Sequence, residues 1–235
     1  MSKGKLYLIP SPLGEGAPSE VLPASVFPLL EQIHCFVVEE VRTARRFLSA
    51  AGLKGHIQEL EFHTLNEHTS PAEVEALLPL FADGNPVGLI SEAGLPAVAD
   101  PGARLVALCH VHGIEVVPLV GPSSLMMALM SSGLDGQHFA FAGYIPAKPE
   151  ERRAALKNLE KRAVHQTQII IETPYRNDAL LQDMLQVLNP RTRLCIAANL
   201  TCPDQFIRTL SIAQWKQLNG FTIGKRPCVF VFQAV

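Results

Sequence analysis

The feature that most constrains the fold is an alternation running the length of the chain. Short apolar runs, each closed by a turn signal, are followed by segments with helical spacing. This pattern builds a parallel or mixed sheet with helices on its faces. Strands are expected over residues 5–10, 35–38, 57–62, 86–91 and 114–119, and then over 139–145, 168–172, 193–198 and 228–233. Helices are expected over 41–51, from Ser70 to about Ala82, from Asp100-Pro101 to before Gly113, and from Ser123 to about Ser132. Two more are expected over 149–163 and 175–188. Ser70-Pro71-Ala72-Glu73 is a clear helix start, with a capping Ser, Pro at the first helical position and Glu to close a capping box.

The chain has 235 residues, enough for one large or two small domains. A composition shift at residues 133–138 places a boundary near 134–137, giving domains 1–134 and 138–235. At 48% apolar and 18% charged residues, the chain is too apolar for a disordered one. A net charge of −2 provides no overall positive field to gather phosphates, which excludes a strongly basic nucleic-acid coat protein. The charged helix over 149–163 reads as a solvated face, with a phosphate-contacting surface as the alternative.

No stretch reads as membrane-spanning: the most apolar, 103–134, is broken by His110, His112, Glu115, Pro118 and Pro122. The apolar run after the first five residues is too short for a signal-peptide core. Five scattered cysteines, without a CxxC pair, read as reduced thiols of a cytoplasmic protein.

Three loops carry the chemistry: 11–16 after the first strand, 92–102 after the fourth and 121–124 after the fifth. All fall at the carboxyl ends of expected parallel strands, the edge where open α/β sheets bind ligands. Several familiar sites are poorly matched. Gly14-Glu15-Gly16 lacks the third glycine of a dinucleotide fingerprint, although the acidic pair Glu39-Glu40 falls about 20 residues on. There is no Walker A lysine and no GxSxG elbow. His63 and His68, and His110 and His112, have spacings that do not share a helical face, so no metal site is expected.

Taken together, these loops resemble the tetrapyrrole-methylase-like class of S-adenosylmethionine (SAM) methyltransferases. They are most similar to the bacterial small-subunit ribosomal RNA ribose 2′-O-methyltransferase branch. The matching runs are residues 6–14 (LYLIPSPLG), 65–68 (LNEH), 89–102 (LISEAGLPAVADPG), 120–124 (VGPSS) through 132–134, 141–146 (FAGYIP) and 172–176 (ETPYR). They occur in family order over almost the whole chain. The branch pattern departs at Gly14-Glu15, at Glu39-Glu40-Val41-Arg42 and at Glu92-Ala93-Gly94-Leu95-Pro96. The chain also ends near the last expected strand, without the C-terminal helical extension that many RNA-methylating members carry.

The resemblance implies two α/β domains with mixed, mainly parallel sheets, SAM held in a cleft between them, and a homodimer. It places cofactor contacts at Leu13 and Gly14, at Ser91, Glu92, Ala93, Gly94 and Pro96, at Ser123 and Ser124, and at Glu172. Methylation of a ribose hydroxyl needs a proton acceptor. Glu39, Glu40 and Glu92 are the nearest carboxylates, and Glu40 is the expected base, with Arg42 holding a phosphate or carboxylate. The methyl acceptor is expected to be ribosomal RNA. The alternatives are a tetrapyrrole-like or other small molecule, or a non-catalytic SAM-binding or interaction module.

Overall fold

The computed structural model describes residues 3–218 and 220–234, apart from the side chain of residue 83. The chain divides into two compact units, Met1–Ser123 and Ser124–Val235. The boundary precedes the one expected near residue 134, because helix α6 (Ser124–Ser132) packs on the sheet of the second unit.

The first unit is an all-parallel five-stranded sheet in the order β3-β2-β4-β1-β5. Its strands are β1 (Lys5–Ile9), β2 (Cys35–Val38), β3 (Glu61–Thr64), β4 (Val87–Ile90) and β5 (Glu115–Pro118). The interior strands are apolar apart from Lys5 at the start of β1, as a sheet covered on both faces requires. Alternate residues point to opposite faces and build two separate cores. Ile9, Phe36 and Val38 pack with Leu30, Ala44, Phe47 and Leu48 under α1 (Pro18–Val21), α2 (Val26–Leu30) and α3 (Val41–Leu48). Leu6, Val37, Val87 and Leu89 pack with Val74, Leu77, Phe81, Leu105 and Cys109 under α4 (Pro71–Glu75) and α5 (Ala103–Val111).

That division fixes the ligand edge. The connections leaving β1 and β2 run under one face of the sheet, and those leaving β3 and β4 under the other. Strand β4 lies between β2 and β1. Its carboxyl end is therefore flanked on both sides by chain that departs the opposite way. Such a reversal opens the crevice in which α/β sheets bind ligands.

The second unit carries α6, β6 (Phe139–Tyr144), α7 (Pro149–Ala163), β7 (Thr167–Ile171), α8 (Asn177–Val187), β8 (Arg193–Ala198), β9 (Phe206–Ser211), α9 (Ile212–Gln217) and β10 (Cys228–Gln233). Its strand order is β6-β7-β10-β8-β9, with only β6 and β7 parallel. The expectation of mainly parallel pairing therefore holds for the first sheet, while the second is mixed. Trp215, Phe230 and Phe232 anchor its core, and the Trp215 indole donates to the Leu194 carbonyl at 2.9 Å. Two cations of the charged α7 are structural. Arg152 is buried and pairs with Asp183 of α8 at 2.5 Å, and Arg153 reaches the other oxygen of the same carboxylate at 2.6 Å.

Candidate active site at the carboxyl edge of the first sheet

The loops after β4, β1 and β5 leave three adjacent strands and press together. The loop after β1 joins that after β4 through a two-residue antiparallel bridge. Ser11 N–H donates to the Gly94 carbonyl at 2.9 Å, and Gly94 N–H returns to Ser11 at 3.1 Å. The buried Ser11 hydroxyl also donates to the Ser91 carbonyl at 3.2 Å. Gly94 adopts φ +76°, and a Cβ there would lie 3.0 Å from the Leu13 side chain. Residue 121 must be equally small, since a Cβ would come within 2.3 Å of the Pro10 ring. Ring atoms cannot rotate out of the way, so glycine is what lets the β1 and β5 loops meet.

The loop after β4 is held in an unusual path. Ala97 and Ala99 have φ of +64° and +55°, sparsely populated conformations for residues bearing a Cβ. Asp100 holds that path in place: its Oδ1 accepts from Ala97 N–H at 3.1 Å and from Gly102 N–H at 2.7 Å. Strain of this kind concentrates at functional sites. The turn after β3 is fixed too, with Arg104 donating to the Asn66 and Thr69 carbonyls at 2.5 Å each.

The electrostatic centre of this edge is Glu39, the residue after β2. Burial, the charges of Asp100 and Glu92, and a hydrogen bond to the Asp100 side chain push its carboxyl up to about 7. The Glu92 backbone amide hydrogen-bonds to Glu39 and partly offsets the rise. A carboxyl tuned to neutral pH and set at a sheet switch point is what a general base requires.

Glu40, the expected base, is the N-cap residue of α3. Its carboxylate caps α3, accepting from Arg42 N–H at 3.0 Å and Thr43 N–H at 2.6 Å. Those bonds hold it below the ordinary carboxylate range. A carboxylate stabilised in its charged form is a poor proton acceptor. Sequence proximity alone does not separate the two acids; the adjacency of β2 and β4 does, and with it the meeting of Glu39 and Asp100.

The expected cofactor residues sort as follows. Leu13, Gly14, Ser91, Glu92, Ala93, Gly94 and Pro96 all lie on the joined β1 and β4 loops. Ser91, Gly94 and Pro96 are buried, whereas Gly14, Glu92 and Ala93 are exposed. Ser123 ends the first unit and Ser124 opens α6 in the second. Arg42 is exposed on α3. In the second unit, Glu172 follows β7 and is buried. Its Oε1 accepts from Thr173 N–H at 2.6 Å and pairs with Arg176 at 2.5 Å. Its Oε2 is buried without a hydrogen-bond partner. A desolvated carboxylate oxygen left unpaired is costly, and a ligand bearing donors relieves that cost. SAM carries an ammonium group and ribose hydroxyls, so the residues present fit it.

Fold and loops together place a candidate ligand site on the carboxyl edge of a parallel sheet. The comparisons with known proteins specify the family. The family model "Tetrapyrrole (Corrin/Porphyrin) Methylases" matches residues 14–215, and this chain belongs to that family of SAM-dependent methyltransferases. Among curated relatives, "Ribosomal RNA small subunit methyltransferase I" of Escherichia coli O157:H7 is 30% identical over 224 residues, which is 95% of this chain and 71% of the relative. The protein of the same name from Thermotoga maritima is 32% identical over 198 residues, 84% of each chain. Among solved structures, the methyltransferase CobJ aligns with a TM-score of 0.63 at 18% identity, covering 99% of this chain and 95% of its own. Uroporphyrin-III C-methyl transferase from Thermus thermophilus, complexed with S-adenosyl homocysteine, aligns with a TM-score of 0.58 at 16% identity, covering 98% and 97%. These two show the fold.

Proposed function

We propose that the protein methylates small-subunit ribosomal RNA at a ribose hydroxyl, with Glu39 as the proton acceptor. The observation that carries this reading is the placement of Glu39, half-buried after β2 beside Asp100 and Glu92 where strand connections reverse. The names of the curated relatives support RNA as the acceptor. A local basic face supports it as well: Arg42, Arg45, Arg46 and Lys54 surround one hollow beside α3. Such a patch positions a phosphate backbone even on a chain of net charge −2.

When bound, SAM supplies an electrophilic sulfonium methyl group. Leu13, Gly14, the 91–96 loop, Ser123, Ser124 and Glu172 are the residues proposed to hold it. Backbone groups of the joined loops orient it, and the glycines allow close approach. With SAM held there, Glu39 would accept the hydroxyl proton as the oxygen takes the methyl group, and the electrons of the broken sulfur–carbon bond would stay on the departing thioether. Placement of the hydroxyl in line with the methyl group is the larger part of the catalysis. The protein is further proposed to be cytoplasmic and homodimeric. Its five cysteines are free, and no helix among the described residues is long and apolar enough to cross a membrane. Met130 and Tyr144 leave apolar surface exposed that a partner copy would cover.

The test is methyl transfer from labelled SAM to small-subunit particles and to cell extract with and without RNase. Label in RNA that RNase abolishes is expected. Label in an RNase-resistant small molecule would replace this reading with small-molecule methylation. SAM binding without transfer to either would favour a non-catalytic module.

A further inference from the structure

At the opposite end of the first sheet, residues distant in sequence bring three metal-ligating side chains together. Cys35 opens β2 and Glu61 opens β3, and the two are register partners on adjacent parallel strands. His63 lies two residues along β3, on the same face as Glu61. The Cys35 sulfur, a Glu61 carboxylate oxygen and a His63 ring nitrogen all lie within 4.8 Å of one another. Among the described residues this is the one such trio. His63 Nε2 is 2.8 Å from Glu61 Oε1.

We propose that Cys35, Glu61 and His63 form a binding site for a zinc-type divalent transition metal that staples the edge strand β3 to β2. Zinc takes Cys, His and carboxylate ligands at about 2.0–2.3 Å in a tetrahedron, which sets ligand atoms roughly 3.3–3.8 Å apart. The trio sits within about an ångström of that spacing, so side-chain adjustment is enough to close on an ion. A thiolate and an imidazole select zinc-like ions over magnesium or calcium. Cys35 and Glu61 line an open hollow together with His34, Glu59, Pro79 and Leu80. The hollow would give an ion a path to Cys35 and Glu61. An arriving ion would take Cys35 as the thiolate and release its proton.

The site stands apart from the methyl-transfer chemistry. Cys35 and Glu39 are four residues apart on an extended strand, about 13 Å. The ion would instead secure β3, which is paired on one side only.

Cobalt(II) titration of the reduced full chain tests the proposal. One equivalent should give a thiolate-to-cobalt charge-transfer band with tetrahedral ligand-field absorption, and zinc should displace it. Cys35→Ser should abolish the band, and His63→Gln should weaken binding at least about tenfold. Cys202→Ser should leave the band intact. Zinc should also raise the Tm of the wild type and not of Cys35→Ser. Circular dichroism establishes that each variant is folded, and His63→Gln carries the test should Cys35→Ser not be. Absence of the band at one equivalent, or its persistence in folded Cys35→Ser or at full affinity in His63→Gln, would overturn the proposal.

Discussion

Two adjacent glutamates show how much a single hydrogen-bond environment decides. Glu40 is spent on capping α3, while Glu39 is pressed against Asp100. Glu39→Gln should lower methyl transfer at least about a hundredfold while leaving SAM affinity within a few-fold, as radiolabel transfer and calorimetry would report. An unchanged rate removes Glu39 from the role. The wild-type kcat/KM should rise through about pH 7 as Glu39 loses its proton, and Glu39→Gln should lack that limb. The same group shapes stability. Its folded value lies above the ordinary 4.5, so its stabilising contribution is complete below that pH and fades as pH rises toward 7. The group is half-buried and partly screened by water, so the loss should be about 1–2 kcal/mol, measurable by denaturant titration and absent in Glu39→Gln. Glu40→Ala should instead lower the Tm through the lost cap, with turnover per folded molecule changed less than about tenfold.

At the level of elements, α7 and α8 are joined by one buried carboxylate. Burial alone would raise Asp183, but the hydrogen bonds from Arg153 and Arg152 outweigh it and hold the group below its ordinary value. Asp183→Asn leaves the Arg152 guanidinium buried without its counter-charge and should cost about 3–5 kcal/mol, seen as a fall in Tm. The basic side of α3 should act on affinity rather than rate. Arg45→Ala and Arg46→Ala should each weaken RNA binding and reduce its log-salt slope by about 1. Most elements were legible because apolar runs and caps are local signals. The capping box at Ser70 is present, and α7 and β8 fall on their expected residues. The strand expected over 57–62 is a 3-10 turn at Ile57–Glu59 followed by β3. Its apolar residues serve turn and strand alike, and the register to β2 is a tertiary choice. Strand β9 was missed because it is an edge strand with few buried positions. The capping box of Ser211 and Gln214 was a usable signal for α9.

For the whole molecule, the three chemistry-bearing loops were readable as loops, and the strand order that makes β4, β1 and β5 neighbours was not. Pairing across 80 residues, as between Ser11 and Ser91, leaves no mark in local composition. The carboxyl cluster and the Cys35 trio both arise from such pairings: sequence spacing put Glu39 and Glu92 near the cleft without their meeting with Asp100, and it led to the expectation of no metal site. The proposed homodimer belongs to this scale as well. Light scattering should give twice the chain mass, and Met130→Glu should shift it toward the monomer if α6 contributes to the contact.

The position of β4 also has a temporal meaning. Strands β1 and β2 are never neighbours; the gap between them is filled by a strand that appears some fifty residues after β2 begins. Until β4 inserts, two apolar strands each present an open edge, and long-range parallel pairing is slow to form. During synthesis the emerging chain must carry those edges uncovered. The loop after β4, which carries residues 91–102 of the candidate site, arrives with the strand that closes this gap, and the loop after β5 follows with the strand that covers the outer edge of β1.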